Sequence, residues 1–286
     1  MELERLALPR PHTVFPARGK LPARSELAGY FVKPRDSFAF QALFQVKGFR
    51  FQTAAEAEQV LSVCEERGVE VILQELIPGP ATAHYFLDDS VNRHGTLCAL
   101  FARRRLRAQY GELSGSSCLV SIEPGLMDQA AEDLQRLLTA IGYRGIFSAE
   151  FKFDHRDGQF KMIEVNTRVW GDMGLAMRCG VDVVQMAYRD ALGEDVWPVS
   201  GYAVGQHWVS LLRDRVVAMG QFRAGKLSWG AFARSWAGAE FDCWSLADPM
   251  PAVWEAGQRL RRRVKRIGQS NRLPNRREPL VRTATP

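Results

Sequence analysis

The chain has 286 residues, of which 46% are hydrophobic and 24% are charged. This balance is typical of a globular protein with a substantial core, and it excludes a disordered, collagen-like or coiled-coil protein. No segment approaches the ~20 continuous apolar residues that cross a bilayer, and the N-terminus lacks the apolar region of a secretory signal. Five cysteines without metal-ligand spacing predict free thiols in a reducing compartment. We therefore expect a cytoplasmic protein that has no membrane partner.

The net charge of +6 is concentrated at one end of the chain. Residues 255–286 contain ten Lys or Arg and two Glu, a net of +8, so residues 1–254 carry a net of −2. Such a tail can bind nucleic acid or another anionic surface, or it can be the solvated end of a helix. We favour the solvated end and do not expect a nucleic-acid partner.

Hydrophobic periodicity and turn signals predict an alternation of strands and helices. Four prolines in residues 1–26 predict a lead-in loop. Residues 38–51 are rich in aromatic side chains and predict a strand or a mobile hairpin. Thr53 and Glu56 have the spacing of a capping box, which predicts a helix that begins there and ends near residue 68. The other predicted strands are 27–33, 69–76, 81–87, 96–106, 146–154 and 160–165, and the other predicted helices are 126–141 and 181–192.

This order of hairpins and covering helices indicates an α+β fold and disfavours a doubly wound parallel sheet. Residues 196–254 are rich in tryptophan and predict a small helical appendage whose aromatic side chains pack on the rest of the protein. The predicted organisation is a lead-in loop at 1–26, a smaller subdomain at 27–77, a larger subdomain at 78–195, the Trp-rich helical appendage at 196–254 and the basic tail at 255–286.

Two glutamates are predicted to face each other in the hairpin of residues 146–165. The turn signal is Asp157-Gly158, and a hairpin centred near Asp157 places Glu150 opposite Glu164. Directly opposed side chains have Cβ atoms ~4.5–5.5 Å apart, and like charges at this distance destabilise the strand pair. A positive charge that neutralises these carboxylates is therefore expected nearby.

The residues that follow Glu164 strengthen this expectation. Because successive side chains of a strand point to opposite faces, Asn166 and Arg168 project on the same side as Glu164. Two carboxylates and an amide oxygen are hard ligands that suit Mg²⁺, with Mn²⁺ as an alternative ion. The competing interpretation is a solvated hairpin face in which Glu150 pairs with Lys152 or Lys161.

Five short motifs occur together in one order along the chain. They are Phe31-Val-Lys33-Pro34, Gln74-Glu-Leu-Ile-Pro-Gly79, the arginine-rich Arg103–Arg107, Glu150-Phe-Lys and Ile163-Glu-Val-Asn-Thr-Arg168. In this order and spacing the chain resembles the ATP-grasp carboxylate–amine ligases, nearest to the carbamoyl-phosphate-synthase-like and D-aspartate-ligase-like members. The resemblance covers residues 10–195 and implies two α+β subdomains with antiparallel sheets that hold ATP between them.

The resemblance also implies roles for individual residues. Lys33 and Lys47 match residues that reach the phosphates of ATP, and the segment formed by Gln74, Glu75, Leu76 and Ile77 matches the one that holds adenine, partly through backbone groups. Glu150, Glu164 and Asn166 match the Mg²⁺ ligands. Arg168 matches a residue that contacts the phosphates or the substrate carboxylate, and Arg105 or Arg107 is expected to act in the same way.

Two features differ from the family pattern. Members of the family usually carry a further domain ahead of the ATP-grasp module, whereas this sequence starts almost at the ATP-binding part. A homodimer or a partner subunit that supplies this domain is therefore expected. The segment 35–46, where the phosphate-covering loop should lie, contains no glycine, which predicts a stiffer lid.

The leading hypothesis is an ATP- and Mg²⁺-dependent ligase that joins a small-molecule carboxylate to an amine through an acyl phosphate, with an amino acid or a small peptide as substrate. Lysines supply fixed positive charge for an anionic nucleotide, and this scheme requires no protein nucleophile. The second hypothesis is a catalytically incomplete ATP-binding module that needs a partner. The third is a nucleic-acid-binding protein that acts through its basic tail.

Overall fold

A computed structural model describes residues 2–16, 29–44, 46, 48–51, 53–108, 115–245 and 247–270, and the side chains up to residue 261. The chain divides into two units, a large unit of residues 1–10 and 78–259 and a small unit of residues 11–77 and 260–286. In chain order the described elements are α1 (Glu2–Arg5), β1 (Thr13–Val14), β2 (Tyr30–Pro34), α2 (Ser37–Phe44), β3 (Phe49–Arg50), α3 (Ala54–Glu66), β4 (Val71–Glu75), β5 (His84–Val91), β6 (Phe101–Ala108), β7 (Ser116–Ser121), α4 (Asp128–Ala140), β8 (Gly145–Asp154), β9 (Gln159–Asn166), α5 (Gly174–Arg178), α6 (Val183–Ala191), β10 (His207–Val209), α7 (Leu211–Arg223), α8 (Trp229–Trp236), β11 (Glu240–Phe241) and α9 (Met250–Ser270).

The small unit contains a four-stranded antiparallel sheet in the order β1-β4-β2-β3. Helix α3 packs its apolar residues Ala57, Val60 and Cys64 against buried residues of the strands, including Val32 and Leu73. The helix begins as predicted, because the Thr53 hydroxyl oxygen accepts a hydrogen bond from the Glu56 amide at 3.2 Å.

The prediction for residues 38–51 was wrong over most of its length. Helix α2 occupies residues 37–44, and among the described residues of this segment only Phe49–Arg50 form a strand. The aromatic residues have helical spacing: Phe40 and Phe44 are four residues apart, and their ring centroids lie 4.7 Å from each other. Phe40 is fully buried, so the aromatic character of this segment reflects core packing.

The large unit contains a seven-stranded sheet in the order β11-β10-β7-β6-β5-β8-β9. Its strand pairs are antiparallel except β10–β11, which is parallel. Both units thus combine antiparallel strands with covering helices, and the predicted α+β class is confirmed. Among the residues that the structure describes, no helix is long and apolar enough to cross a membrane.

The large sheet has two different faces, which alternate along each strand. On the apolar face, Phe147, Ala149 and Phe151 of β8 pack against leucines of α4, the helix predicted at 126–141. On the charged face, the alternate side chains of the same strands are mostly polar or ionisable, and two phenylalanines lie among them. We use the name charged face for the surface formed by His84, Phe86, Asp88, Phe101, Arg103, Arg105, Ser148, Glu150 and Lys152.

Residues 196–254 are part of the large sheet, in contrast to the helical appendage that the sequence predicts. Strand β10 pairs with β7, and β11 extends the sheet beyond β10. Helices α7 and α8 lie between β10 and β11 in the chain. Trp208 is buried, and Trp236 packs against a small core around Cys118 and Val209. The short strands lack a run of alternating residues long enough to be recognised from the sequence.

The described part of residues 1–26 is also more ordered than the predicted loop. Strand β1 pairs with β4, while the segment before it belongs to the large unit. Leu8 is a fully buried member of the apolar core, and the Met162 amide donates to the Pro9 carbonyl at 3.0 Å. The chain therefore begins in the large unit, forms the small unit, and returns to the large unit at Pro78.

Candidate active site

The hairpin formed by β8 and β9 places Glu150 opposite Glu164, and Ser148 opposite Asn166. The predicted register is therefore correct at the two glutamates. A β-bulge is responsible for it, because Phe151 pairs with Met162 and leaves Ile163 as the extra residue between the two registers. Without this bulge, residues 164 and 166 would lie on the other face of the sheet.

Two side chains of the charged face contact the carboxylate of Glu150. Its Oε1 atom is 2.7 Å from His84 Nδ1 and 3.1 Å from Arg105 Nη2. Since a carboxylate only accepts hydrogen bonds, the proton at His84 lies on Nδ1. Arg105 is further fixed by a hydrogen bond from its Nε to Ser116 Oγ at 2.9 Å. Two donors on one oxygen orient the carboxylate of Glu150 within the sheet.

The alternative pairing of Glu150 with Lys161 is wrong. Lys161 Nζ donates to the carboxylate of Asp157 and to Gln159 Oε1. Lys152, the other candidate, is buried, and its Nζ donates to the Gly79 carbonyl at 3.2 Å.

Burial shifts the pKa values of ionisable groups in and beside the charged face. Desolvation lowers the pKa of His84, although its hydrogen bond to Glu150 acts in the opposite direction. Desolvation raises the pKa of Asp88 and of Asp172, against the effect of the nearby Arg103 guanidinium. Charges buried on this face therefore interact with one another more strongly than they would in water.

Arg103 connects three elements of the large unit. It pairs with Asp88 of β5, contacts Ser148 Oγ of β8 at 3.3 Å, and reaches Asp172 in the loop after β9 at 3.1 Å. This loop also contains Arg168, whose exposed guanidinium donates to the Val169 carbonyl. Arg103 therefore fixes the segment that follows the two predicted metal ligands Glu164 and Asn166.

Arg107 lies on the opposite face of the sheet from Arg105. The two arginines pair with Leu119 and Cys118, which are consecutive residues of β7 and therefore point in opposite directions; a bulge in β6 produces this change of side. The guanidinium of Arg107 binds both carboxylate oxygens of the fully buried Asp214, at 2.8 and 2.7 Å.

These contacts give Arg107 a structural role. Asp214 also accepts hydrogen bonds from Ser117 Oγ and Trp236 Nε1, and Arg107 donates to Ser235 Oγ. The expectation that Arg107 contacts a substrate is not supported by this buried network. Strands β6 and β7 and helices α7 and α8 are joined through it.

The predicted nucleotide-binding residues that the structure describes lie in the small unit. Lys33 is in β2, Gln74 and Glu75 end β4, and Leu76 and Ile77 follow directly. The amides of Glu75 and Leu76 donate to the carbonyls of His12 and Gly29. Lys47 lies outside the described residues. The roles of all these residues in binding nucleotide stay predictions.

Sequence reasoning missed His84, Asp88 and Asp172. A lone histidine or aspartate in a strand or a loop carries no motif, and only the register between β5 and β8 shows that His84 meets Glu150. The alternation of Arg103 and Arg105 could have indicated a charged face, because such residues are rarely buried without acidic partners.

The donor set at the edge of the charged face fits a hard divalent cation. Two carboxylates, Glu150 and Glu164, face each other across the strands, and the amide oxygen of Asn166 is available two residues further along β9. Mg²⁺ is typically held by one or two carboxylates together with water and phosphate oxygens. The Arg105 guanidinium, 3.1 Å from Glu150, compensates part of this negative charge, and a bound cation would compensate the remainder.

Comparison with known proteins is consistent with this architecture. Residues 69–207 match the model of a family described as ATP-grasp in the biosynthetic pathway with Ter operon. A D-aspartate ligase of Enterococcus faecium (strain Aus0004) is 23% identical over 162 residues, which are 56% of this chain and 38% of that protein. The chain therefore spans well under half the length of this curated relative.

Two solved structures show the same fold. N5-carboxyaminoimidazole synthetase of Staphylococcus aureus, complexed with ADP, superposes with a TM-score of 0.54 at 11% identity, over 72% of this chain and 52% of that one. The biotin carboxylase domain of 2-oxoglutarate carboxylase from Hydrogenobacter thermophilus, determined with MgADP, ADP and bicarbonate, gives a TM-score of 0.52 at 15% identity, over 72% of this chain and 47% of that one.

Residues 69–207 are therefore similar to ATP-grasp domains, and the resemblance seen in the sequence is confirmed over this segment.

Proposed function

We propose that the protein is a ligase that uses ATP and Mg²⁺ to join a carboxylate to an amine with release of ADP. The observation that carries this proposal is the pair of facing glutamates, Glu150 and Glu164, held beside a buried arginine on the charged face of an ATP-grasp sheet. The similarity to a D-aspartate ligase supports carbon–nitrogen bond formation as the reaction class.

The reaction has two steps. A carboxylate oxygen of one substrate attacks the γ-phosphorus of ATP, and the bond between that phosphorus and the bridging oxygen breaks to release ADP. The amine of the second substrate then attacks the carbonyl carbon of the acyl phosphate, and inorganic phosphate leaves with the C–O bond pair. No group of the protein becomes covalently attached, so the protein acts by positioning and by charge compensation.

The residues of the chain divide this work. We assign Glu150, Glu164 and Asn166 to Mg²⁺, which offsets negative charge on the phosphoryl group when it is bound. His84 and Arg105 hold the carboxylate of Glu150 in one orientation. Arg168 is assigned to the phosphates or to the substrate carboxylate. The roles of Lys33 and Lys47 at the phosphates and of residues 74–77 at adenine rest on the resemblance.

The test combines a binding assay with a turnover assay. ATP is titrated calorimetrically into the purified chain with and without Mg²⁺, and ADP release is measured with pairs of candidate carboxylates and amines. Mg²⁺-strengthened ATP binding and substrate-dependent ADP release are expected. Glu164→Gln should lower ADP release about 100-fold because it removes one of the two charges that hold the cation.

The control is Glu132→Gln, an exposed glutamate of α4 on the apolar side of the sheet. This variant should retain the activity of the unchanged protein. If Glu164→Gln released ADP at the same rate as Glu132→Gln, the proposal would be abandoned. ATP binding without ADP release for any substrate pair would instead favour a nucleotide-binding module that needs a partner subunit.

A further inference from the structure

Helix α9 carries large apolar side chains that the fold leaves exposed. Met250, Val253 and Trp254 are 63%, 58% and 68% exposed, and Leu260 is 64% exposed. Residues three, four or seven positions apart share one side of a helix, so these four side chains lie on the same side of α9. We name Met250, Val253, Trp254 and Leu260 the apolar stripe.

The opposite side of α9 attaches the helix to the large unit. Ala252 is only 7% exposed. Glu255, three residues further on, accepts a hydrogen bond from the Cys243 thiol and is attracted by the Arg213 guanidinium of α7. The start of the helix is therefore held by one side, and the apolar stripe on the other side faces solvent.

Positive charge is concentrated on the same helix. Residues 250–270 contain six Lys or Arg and a single acidic residue, Glu255, and the next acidic residue of the chain is Glu278. The three consecutive arginines 261–263 occupy positions about 100° apart around the helix axis, so positive charge borders the apolar stripe. In the sequence, Val264 and Ile267 continue the spacing of the stripe. This combination defines a basic amphipathic helix.

We propose that α9 lies on the surface of a membrane that contains anionic phospholipids. The apolar stripe enters the boundary between headgroups and acyl chains, and the Lys and Arg side chains bind the lipid phosphates. Tryptophan is enriched at this depth of a bilayer because its ring is apolar while its N–H can form a hydrogen bond, which suits Trp254.

This inference departs from the expectation that the basic tail is a solvated helix end and that the protein has no membrane partner. The sequence shows the charge of the tail, whereas the structure adds the exposure of the apolar stripe. The helix lies along the membrane surface and does not cross it. The inference does not depend on the proposed ligase function.

Other partners match only one of the two features of α9. Double-stranded DNA neutralises the basic residues but offers no apolar phase to the stripe. A second α9 would cover the stripe but would bring two sets of positive charges together. An anionic bilayer supplies negative charge and an apolar phase at once, and it requires no particular shape of the bound surface.

The experiment measures binding of the full-length chain to phospholipid vesicles by flotation. Vesicles of phosphatidylcholine alone are compared with vesicles that also contain about 30 mol% phosphatidylglycerol, and double-stranded DNA is titrated in parallel. At about 0.1 M salt, binding to the anionic vesicles should be at least about tenfold tighter than binding to the neutral ones. Higher salt should weaken it, because salt screens the attraction between the basic residues and the lipid phosphates.

A charge variant tests the basic residues of α9. Combining Arg261→Gln, Arg262→Gln and Arg263→Gln should weaken binding to the anionic vesicles about 100-fold, because each basic residue near such a surface contributes to the attraction. The control removes the same charge from exposed arginines elsewhere, by combining Arg67→Gln, Arg215→Gln and Arg223→Gln, and should bind like the unchanged protein.

A second variant tests the apolar stripe. Trp254→Ala should weaken vesicle binding about tenfold and leave the affinity for DNA unchanged, because only the bilayer takes up the apolar side chain. Trp197→Ala, at a tryptophan of the large unit that is 79% exposed, is the matched control and should change neither quantity. Far-UV circular dichroism checks that every variant is folded.

Several results would overturn the proposal. One is binding of the unchanged protein to neither kind of vesicle, or to both kinds equally. Another is a charge variant of α9 that binds the anionic vesicles as tightly as its control variant does. If Trp254→Ala bound vesicles as tightly as Trp197→Ala, and DNA bound more tightly than the vesicles, α9 would be a site for nucleic acid instead. No ATP is present in these assays, so their outcome is independent of the ligase function.

Discussion

The two faces of the seven-stranded sheet use the same strands for different purposes. Along β8, Phe147, Ala149 and Phe151 fill the apolar core, and the alternate residues Ser148 and Glu150 lie on the charged face. Burial of apolar area on one side stabilises the sheet by about 25 cal/mol per Å². The other side carries buried charges, whose desolvation offsets much of their attraction. Along β8, residues that stabilise the fold therefore alternate with residues assigned to the chemistry.

Phe151→Ala is expected to give the largest loss of stability, because it removes a buried side chain from the apolar face. Truncation of a fully buried phenylalanine removes apolar contacts and leaves a cavity, so the free energy of unfolding should fall by about 3–5 kcal/mol. Urea denaturation followed by far-UV circular dichroism measures this change.

The neighbouring residue supplies the matched comparison. Glu150→Gln keeps an acceptor for His84 and Arg105. Because the Glu150 side chain is 20% exposed, the free energy of unfolding should change by less than about 1.5 kcal/mol, whereas ADP release should be lost. The separation of the two faces would be refuted if both variants lowered stability to the same extent.

The ion pair of Arg107 and Asp214 tests the comparison of the two faces further, because it is a buried pair of charges on the face opposite to the charged face. Asp214→Asn leaves the buried guanidinium without its counter-charge, and the free energy of unfolding should fall by about 3 kcal/mol. The variant should retain substrate-dependent ADP release at temperatures where it is folded, since the pair lies on the opposite face from Arg105.

Asp195→Asn serves as the control for this prediction. Asp195 pairs with Arg93 at 2.7 Å, but its side chain is 71% exposed. Exposed pairs contribute about 0–1 kcal/mol, so this variant should be almost as stable as the unchanged protein. An equal loss in the two variants would show that burial of Asp214 has no energetic consequence.

The smallest expected effect is the contribution of Tyr202 to the free energy of unfolding, and this contribution depends on pH. Its hydroxyl donates to the Ile122 carbonyl at 2.6 Å, and burial raises the pKa of Tyr202 to about 12. Because the pKa is higher in the folded protein, the unfolded chain loses this proton first, and stability should fall as the pH rises from about 10 towards 12.

Tyr202→Phe should remove this part of the alkaline dependence and cost about 1 kcal/mol at neutral pH. Ultraviolet titration of the phenolates checks the pKa directly, and Tyr188→Phe, at an exposed tyrosine, is the control. If the unchanged protein and the Tyr202→Phe variant lost stability in parallel above pH 10, Tyr202 would not be the cause of the alkaline loss of stability.

Much of the fold could be predicted from local patterns. The capping box at Thr53, the turn at Asp157-Gly158 and the helical periodicity of 126–141 each specify one element through short-range interactions. Helix α2 could not be predicted in this way. Its aromatic residues suit strands by propensity, and their helical form is decided by packing among Phe40, Phe44 and Phe49.

The candidate site was only partly accessible to the same reasoning. The sequence predicts that Glu150 faces Glu164, but the structure reaches this register only through a bulge at Ile163 that the prediction did not contain. The separation of Arg105 and Arg107 could not be foreseen, because a bulge in β6 is invisible in the sequence. The partnership of His84 with Glu150 depends on strands that are more than sixty residues apart, where no local signal exists.

The hydrogen bond between Pro9 and Met162 has a consequence for biosynthesis. Residues 11–77 leave the ribosome and can assemble their own sheet long before β9 has been translated. The preceding segment, including Leu8, must wait as an unpaired apolar stretch until the rest of the large unit arrives. A chaperone or a fusion partner that covers Leu8 and its neighbours should therefore delay the folding of the large unit. The folding of residues 11–77 should not be delayed.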